Sequence, residues 1–176
     1  ANLLRLQKSA EMALVFGRLA LFLKPNHSIM RVMVGEIMEE DGRLLEANRM
    51  YQKIGQSSVF RKGRNIRIAA NLHDLDRTDE AIKILRKVAI ENPKDPEPLV
   101  KIGDYLRSQE EFSKAAEEYD YALKRVGSLK PRHWRLLYIR GIALERINDW
   151  AAAEKDLLKA LELKPNQPYV LNYLGY

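Results

Sequence analysis

The sequence predicts an all-α protein built from repeated pairs of antiparallel helices, and three observations support this fold class. First, an alanine recurs in similar surroundings at intervals of 34, 34 and 38 residues, at Ala47, Ala81, Ala115 and Ala153. Second, a small residue stands twelve positions before each alanine, at Gly35, Ala69, Gly103 and Gly141. Third, polar turn signals alternate with stretches of helical periodicity. A repeat of this length indicates a stacked helical array.

Each repeat has the pattern of two helices that pack closely. Apolar residues recur at helical spacing, for example at Leu99, Ile102 and Leu106 in a first helix. The small residues of the two series allow the paired helices to approach each other. Each repeat is therefore predicted to be a helical hairpin.

Turn signals mark where the helices end. Polar stretches that are expected to supply N-caps for each second helix lie at 39–44, 74–79, 108–112 and 147–150. Stretches with proline, which stops one helix and can open the next, separate the hairpins at 92–98 and 164–168. The predicted order is helix, turn, helix throughout.

Composition excludes several classes of protein. The chain has 176 residues, a formal net charge of +6 and no cysteine, which excludes disulfide frameworks, thiolate metal sites and cysteine nucleophiles. The most apolar run, 13–23, contains Gly17 and Arg18 and is shorter than the ~20 apolar residues of a membrane-spanning helix. We therefore expect no membrane-spanning segment. The opening ANLLRL lacks the basic and apolar regions of an export signal.

The pattern resembles the tetratricopeptide repeat over essentially the whole chain. In the best-matching unit, which starts at Pro96, the signature places hold Leu99, Ile102, Gly103, Leu106, Ala115, Tyr119 and Ala122. A single such match would be a weak signal, whereas four in near-constant register are specific. The resemblance implies a right-handed superhelical solenoid of stacked helix-turn-helix repeats.

The resemblance also predicts the domain organisation, a single array over 1–176. The expected parts are a partial repeat at 1–27 that is mainly a second helix, whole repeats at 28–61, 62–95, 96–133 and 134–167, and a partial repeat at 168–176. The repeat at 96–133 carries four extra residues. Since both ends fall inside repeats, we expect a segment of a longer array.

Stretches such as LALFLKPNHS and ALELKPNQPYVLNYLGY resemble longer tetratricopeptide proteins of Gram-negative bacteria. Such proteins often carry an export signal. The resemblance therefore implies a periplasmic or cell-envelope location, with the cytoplasm as the alternative.

Three departures from the family pattern lead to specific expectations. Arg140 stands where the family has an apolar residue, so its stem should pack while its head reaches solvent or a carboxylate. The second helix of the 28–61 repeat should end at Gly55, with Ser58 capping a first helix that extends through Val59 and Phe60. In the last partial repeat, we expect packing of two leucines against the preceding second helix: Leu171 and Leu174 against Leu157, Leu158 and Leu161.

The sequence contains no catalytic constellation. His27, His73 and His133 are far apart in the repeat register and lack the i, i+4 partner of a metal-binding helix. There is no GxxxxGK[ST] loop, GxSxG elbow or HExxH motif. Carboxylate pairs such as Glu110 and Glu111 lie at helix ends, where they fit as solvated caps. We expect no enzyme activity, no metal and no cofactor.

The resemblance locates a binding groove, because in this family the first helices line the concave face. Carried over to matching positions, the groove candidates are Val32, Glu36, Ile66, Ala70, Val100, Asp104, Arg107, Arg135, Tyr138, Ile142, Tyr169 and Asn172, followed by Tyr176. The groove is expected to be acidic near its start and richer in Arg and Tyr near its end. The leading hypothesis is a protein-interaction scaffold whose groove binds a peptide or a partner helix of unknown identity.

A second candidate surface is a basic edge formed by the connections between repeats. Its candidate residues are Arg61, Lys62, Arg64, Lys130, Arg132 and Trp134, the last as a stacking platform. Such an edge would hold RNA or an anionic surface, although the acidic opposite edge and the sparse aromatic residues disfavour nucleic acid. Two further alternatives are a regulatory or targeting arm of a larger enzyme or envelope assembly, and self-association through uncapped repeat ends.

Overall fold

The computed structural model describes the backbone of residues 2–174 and the side chains of residues 9–174. Within that range the chain forms ten α-helices, one short 3-10 helix (Pro131–His133) and no β-strand. The helices are α1 (Asn2–Leu23), α2 (Ser28–Glu40), α3 (Leu44–Gln52), α4 (Arg61–Asp74), α5 (Thr78–Glu91), α6 (Glu97–Ser108), α7 (Phe112–Val126), α8 (Trp134–Arg146), α9 (Trp150–Leu163) and α10 (Pro168–Leu174). The predicted all-α class is confirmed.

The helices form two compact units, here called unit 1 (Ala1–Ile84) and unit 2 (Leu85–Tyr176). In unit 1, α2 packs against α1 and α3, and α3 packs against α4. In unit 2, consecutive helices from α6 to α10 pack against one another. Each of these helices thus packs against its neighbours in sequence within its unit, as in a stacked array. The division into repeats at the boundaries given above stays a prediction.

In two hairpins, α2–α3 and α6–α7, the paired helices approach closely at a glycine of the first helix. A Cβ atom on Gly35 would lie 2.4 Å from Cε1 of Tyr51, and a Cβ atom on Gly103 would lie 2.4 Å from Cε1 of Tyr119. Both tyrosine rings are fully buried. The ring occupies the volume that a side chain on the first helix would need, so these positions require glycine.

The turn inside each hairpin has the same backbone conformation. Each turn has three residues, and the central one has a left-handed backbone conformation in all four cases: Gly42, Asp76, Glu110 and Asn148, with φ of 72, 59, 61 and 64°. The amide of the next residue donates to the carbonyl five residues before it, in the pairs Arg43–Met38, Arg77–Leu72, Glu111–Leu106 and Asp149–Leu144, at 2.8 to 2.9 Å. This is the Schellman arrangement that satisfies the last carbonyls of a helix. Only one of the four residues is a glycine, which hid the common conformation from sequence inspection.

The expected N-caps of the second helices are only partly present. Asp149 accepts a hydrogen bond from the amide of Ala152 at 3.3 Å and so caps α9. In contrast, Arg43 before α3 and Glu111 before α7 make no side-chain cap hydrogen bond. The expectation was wrong at these two helices, because the residue before each helix has a long side chain rather than a short capping one.

The connection between α3 and α4 is longer than predicted. The second helix ends at Gln52 rather than Gly55, and the next helix begins at Arg61 rather than extending through residues 59 and 60. Ser58 accepts from the amide of Phe60 at 3.3 Å inside this turn. The turn is held in place because Ile54 is buried and its carbonyl accepts a hydrogen bond from the guanidinium of Arg64.

The last helix is anchored by a different residue from the one expected. Val170 is fully buried in a cluster with Leu137, Leu157 and Ala160, and Leu174 packs against the same cluster. The prediction was therefore right for Leu174 and wrong for the anchor, since Leu171 is only half-buried and Leu158 is exposed. Residues four apart share one face of a helix, so the face of α10 that meets α9 carries residues 170 and 174.

Arg140 forms an ion-pair network in a place that is apolar elsewhere in the chain. Its guanidinium donates to both oxygens of Asp156 at 2.6 and 2.7 Å, and to Asp120 at 2.9 Å. The Asp156 carboxylate is buried. In unit 1 the repeat position of Arg140 is occupied by Ile68, and that of Asp156 by Ile84. The prediction that the head of Arg140 meets a carboxylate is confirmed.

We expect Gly103→Ala to lower the free energy of unfolding by roughly 1–3 kcal/mol, because the added Cβ overlaps the Tyr119 ring. The matched control is Gly141→Ala, whose Cβ would lie 3.1 Å from Leu157 and needs only a small shift. Both variants gain the same ~1 kcal/mol of helix propensity, so their difference isolates the overlap. Urea denaturation followed by circular dichroism measures it. Equal stability of the two variants would contradict the role assigned to the ring.

We expect Arg140→Ile to destabilise the protein by roughly 3–5 kcal/mol, because it leaves the buried Asp156 carboxylate without its partner. The double variant Arg140→Ile/Asp156→Ile reproduces the apolar pair of unit 1 and should recover most of that loss. Urea denaturation of the single and double variants provides the comparison. A double variant as unstable as the single one would show that the two positions do not act as a pair.

Candidate functional site

A cavity of about 390 Å³ lies between the first helices of unit 2, α6 and α8. Three of the predicted groove residues line it: Val100 and Asp104 from α6, and Arg135 from α8. Its apolar lining is completed by the buried side chains of Leu136 and Ile139. The structure thus brings groove candidates of two repeats together around one apolar depression.

The rim of this cavity carries more positive than negative charge. Lys101, Arg132 and Arg135 supply three cations, against the carboxylates of Glu97 and Asp104. The sequence prediction placed Arg132 on the basic edge and did not include Lys101 in the groove. Lys101 lies about one helical turn from both Glu97 and Asp104, so the three share one face of α6. This spacing in the sequence could have identified Lys101 as a residue of the same surface.

His133 also lines the cavity. Burial and the neighbouring charges of Arg132 and Lys130 lower the pKa of His133 from its ordinary value. The imidazole is therefore neutral at neutral pH. It adds a polar wall and no charge to the cavity.

Asp104 is held in position by two residues from different helices. The hydroxyl of Tyr119 donates to its carboxylate at 2.8 Å, and the guanidinium of Arg107 lies 4.0 Å from the same oxygen. Burial and the adjacent Asp104 charge raise the pKa of Tyr119, so the hydroxyl keeps its proton. The groove carboxylate is therefore oriented by the same tyrosine that packs on Gly103.

Aromatic side chains cluster beyond the cavity, toward the end of unit 2. The ring centroid of Tyr138 lies 6.2 Å from that of Trp134 and 5.9 Å, edge-on, from that of Tyr173. Tyr169 and Asn172 are exposed, and Ile142 is half-buried on α8. Tyr173 was not among the predicted groove residues. Tyr176 lies outside the described residues.

The groove candidates of unit 1 are half-buried: Val32 and Glu36 on α2, Ile66 and Ala70 on α4. The acidic start of the groove is not free, because Arg67 forms ion pairs with Glu36 and with Glu39, the latter at 2.6 Å. One guanidinium thus offsets part of the negative charge of two carboxylates at the expected acidic start of the groove in unit 1.

The structure contradicts part of the basic edge. Arg64 is buried, with its guanidinium directed at the carbonyl of Ile54, so it presents no charge at a surface. Trp134 packs in the apolar cluster of α8 and α9, and Lys164 lies 5.4 Å from its ring centroid, so its ring is not an open stacking platform. Arg61 and Lys62 are half-buried in unit 1, whereas Lys130 and Arg132 are exposed in unit 2.

A second cavity of unit 2, of about 460 Å³, lies between α7 and α9 with α8 at its floor. We call it the outer cavity. Its lining includes Tyr121, Leu144 and Lys155 together with the Arg140–Asp156 network. Because Arg140 already engages two carboxylates, the charges at this floor are satisfied within the protein.

A metal-binding cluster and a membrane-spanning helix are both absent from the described residues. No group of three or more histidine or acidic side chains there is arranged to hold a metal ion. No described helix combines the length and the apolar character that crossing a membrane requires.

The family model of the tetratricopeptide repeat matches residues 100–168. The TPR repeat-containing protein PA4667 of Pseudomonas aeruginosa is 30% identical over 144 residues, which cover 81% of this chain and 24% of that protein. The chain thus spans about a quarter of the length of this bacterial relative.

Solved structures share the fold. The structure of YrrB, described as a TPR protein with an unusual peptide-binding site, gives a TM-score of 0.71 at 20% identity, covering 99% of this chain and 88% of that one. MamA gives 0.74 at 20% identity, with coverages of 98% and 95%. PilW, described as a type IV pilus biogenesis factor, gives 0.75 at 14% identity, with coverages of 90% and 72%. At these identities the likeness shows the fold, a helical repeat solenoid.

The repeat register, the stacked helix pairs and these matches lead to one assignment. The chain belongs to the tetratricopeptide repeat family, whose members typically act as non-catalytic scaffolds for protein–protein interaction.

Proposed function

We propose that unit 2 binds a peptide segment of a protein partner in the cavity between α6 and α8. The observation that carries the proposal is the combination, at one place, of an apolar floor at Leu136 and Ile139 with a cationic rim. A volume of about 390 Å³ falls within the ~300–1,000 Å³ of typical ligand pockets. The cavity therefore has room for one large apolar side chain of the peptide.

The charges of the rim indicate what should flank that side chain. Lys101, Arg132 and Arg135 outnumber the two carboxylates, and Asp104 is already engaged by Tyr119 and Arg107. Complementary charge favours association with the correct partner and slows binding to others. The expected ligand is thus a peptide with a large apolar residue next to one or more acidic residues.

The surface beyond the cavity extends the proposed path of the peptide. Arg107, Tyr138 and Tyr169 follow one another toward the end of unit 2, and tyrosine and arginine most often dominate binding energy at interfaces. YrrB, which shares this fold, is described as having a peptide-binding site. That description supports peptide binding as a use of the fold, while the chemistry of the ligand is inferred from this groove.

An alternative for the longer protein is a regulatory or targeting arm of an enzyme or envelope assembly. The chain spans 24% of the length of its relative, so a whole protein of that length would contain further segments or domains that the groove could serve. In that alternative the same groove would recognise a segment of the same protein or assembly.

The test is to select peptides on the immobilised chain from a random display library and to measure their affinity by fluorescence anisotropy. We expect Val100→Glu and Arg135→Glu each to weaken binding at least ~10-fold, about 1.4 kcal/mol. The first places a charge on the apolar wall and the second reverses a rim cation. The matched control is Lys159→Glu, which makes the same change of charge on the exposed side of α9 and should leave affinity unchanged.

A charge exchange sharpens the result. Replacing the acidic residue of a selected peptide by lysine should weaken binding to the native chain and restore binding to Arg135→Glu. Peptides that respond to Lys159→Glu but not to Arg135→Glu would overturn the proposed site. Selected peptides without an acidic residue would overturn the proposed ligand chemistry.

A further inference from the structure

The outer cavity of unit 2 has a smaller counterpart in unit 1. The counterpart lies between α3 and α5, with α4 at its floor, and measures about 290 Å³ against about 460 Å³ for the outer cavity. The recurring alanines align the walls of the two cavities, Ala47 with Ala115 and Ala81 with Ala153. The walls of the outer cavity also have their neighbours in place, since α6 packs on α7 and α10 packs on α9. The outer cavity is therefore a regular feature of stacked hairpins that is enlarged in unit 2.

Small side chains account for the greater size of the outer cavity. Asn48 and Glu80 line the counterpart in unit 1, and the equivalent positions in unit 2 hold Ala116 and Ala152. The volume of the outer cavity lies within the ~300–1,000 Å³ of typical ligand pockets, and that of the counterpart lies just below this range. The outer cavity thus has the size of a binding site.

The two ends of the outer cavity differ in polarity. Toward the turn between α8 and α9 the lining is apolar, with Leu144 and Ile147. Toward the opposite end the lining is charged, because Arg140 pairs there with Asp156 and Asp120. These floor charges satisfy one another, so a ligand that covers them leaves no buried charge without a partner.

The two walls of the outer cavity carry opposite charges that are available to a ligand. Glu117 on α7 and Lys155 on α9 are both exposed, and neither forms an ion pair or a side-chain hydrogen bond with another described residue. In contrast, the wall cation Lys124 is held by Asp120 at 2.6 Å. A ligand in the cavity therefore meets a negative charge on one side and a positive charge on the other.

The length of the α7 wall matches that of a short helix. Its lining residues run along one face of α7 from Ser113 to Lys124, a distance of ~16 Å at ~1.5 Å per residue, or about three helical turns. Tyr121, which is 51% exposed, adds aromatic surface to this wall. A groove between two helices accepts the side-chain ridges of a third helix.

We propose that the outer cavity binds an amphipathic helix of a protein partner, which lies along the groove between α7 and α9. Its apolar stripe faces Leu144 and Ile147, a basic residue on one flank faces Glu117, and an acidic residue on the other flank faces Lys155. Apolar anchors at intervals of three and four residues are the usual signature of a helix that binds in a groove. The opposite charges of the two walls select a partner helix with opposite charges on its two flanks.

The proposal is independent of peptide binding between α6 and α8, because the two cavities have different walls. Short library peptides are seldom helical in isolation, so selection of peptides on the chain does not favour the outer cavity. A partner that presents a preformed helix would bind here while a peptide occupies the other site.

The probe is a fluorescent, side-chain-stapled helix of ~15 residues, whose leucine stripe has lysines on one flank and glutamates on the other. Two matched probes carry lysine on both flanks or glutamate on both flanks. In ~0.15 M salt, where long-range attraction is screened, fluorescence anisotropy should show at least ~10-fold tighter binding of the mixed probe. Glu117→Lys should shift the preference to the probe with two glutamate flanks, and Lys155→Glu to the probe with two lysine flanks.

Ala152→Glu introduces the residue of unit 1 and should weaken binding of the mixed probe at least ~10-fold, because it fills the apolar end of the cavity. The matched control is Ala151→Glu, the same change at the exposed neighbouring residue outside the lining, which should leave the affinity unchanged. Both variants should keep the affinity of the native chain for peptides bound between α6 and α8.

Three results would overturn the proposal. The first is that no probe binds, or that all three bind the native chain equally. The second is that a mixed probe with a central proline, which breaks the helix, binds as well as the intact one, which would assign the cavity to an extended peptide. The third is a dimer of the native chain that Ala152→Glu abolishes, which would assign the cavity to a second copy.

Discussion

The arrangement of the helices depends on how closely the two members of a hairpin approach, and in the hairpins α2–α3 and α6–α7 a buried tyrosine ring occupies the space between them. In unit 2 the ring of Tyr119 lies against Gly103, and its hydroxyl reaches Asp104 on the next position of the same helix. The ring belongs to the core and the hydroxyl to the groove. Packing between α6 and α7 therefore also determines where a groove carboxylate points. A change of helix spacing would move the cavity between α6 and α8 with it.

Arginine side chains stabilise the connections of the fold, and this explains why the net charge of +6 is a poor guide to function. Arg125 donates to the carbonyls of three residues at the end of α5 and in the turn that follows it, at 3.0 to 3.2 Å. Arg86 donates to both carboxylate oxygens of the buried Glu118. Arg86 and Arg140 each donate through two or more guanidinium nitrogens at once, for which the planar fork of arginine is suited. The cations relevant to ligand binding are therefore those that line the cavity between α6 and α8, namely Lys101, Arg132 and Arg135.

The sequence predicted the elements that follow from periodicity. Small residues in register and apolar residues at helical spacing indicated the hairpins, because they reflect packing of the backbone itself. The sequence did not predict which residues are buried where this depends on the rotation of one helix. Val170 rather than Leu171 is buried, since a shift of one residue turns a helix by ~100°. The burial of Arg64 was not predicted for another reason. A buried cation is recognised from the carbonyl that accepts its hydrogen bond, here that of Ile54, and this contact is visible only in the structure. The groove candidates were placed by resemblance, which could not show that Arg67 neutralises Glu36.

The proposed peptide site lies between the first helices of unit 2, α6 and α8. Its most direct test is the perturbation of backbone amide chemical shifts in the isotope-labelled chain on addition of a peptide selected on it. We expect the perturbed amides to be concentrated on α6 around Val100 to Arg107 and on α8 around Arg135 to Ile139. Shifts concentrated instead on the outer cavity, along α7 and α9, would contradict it.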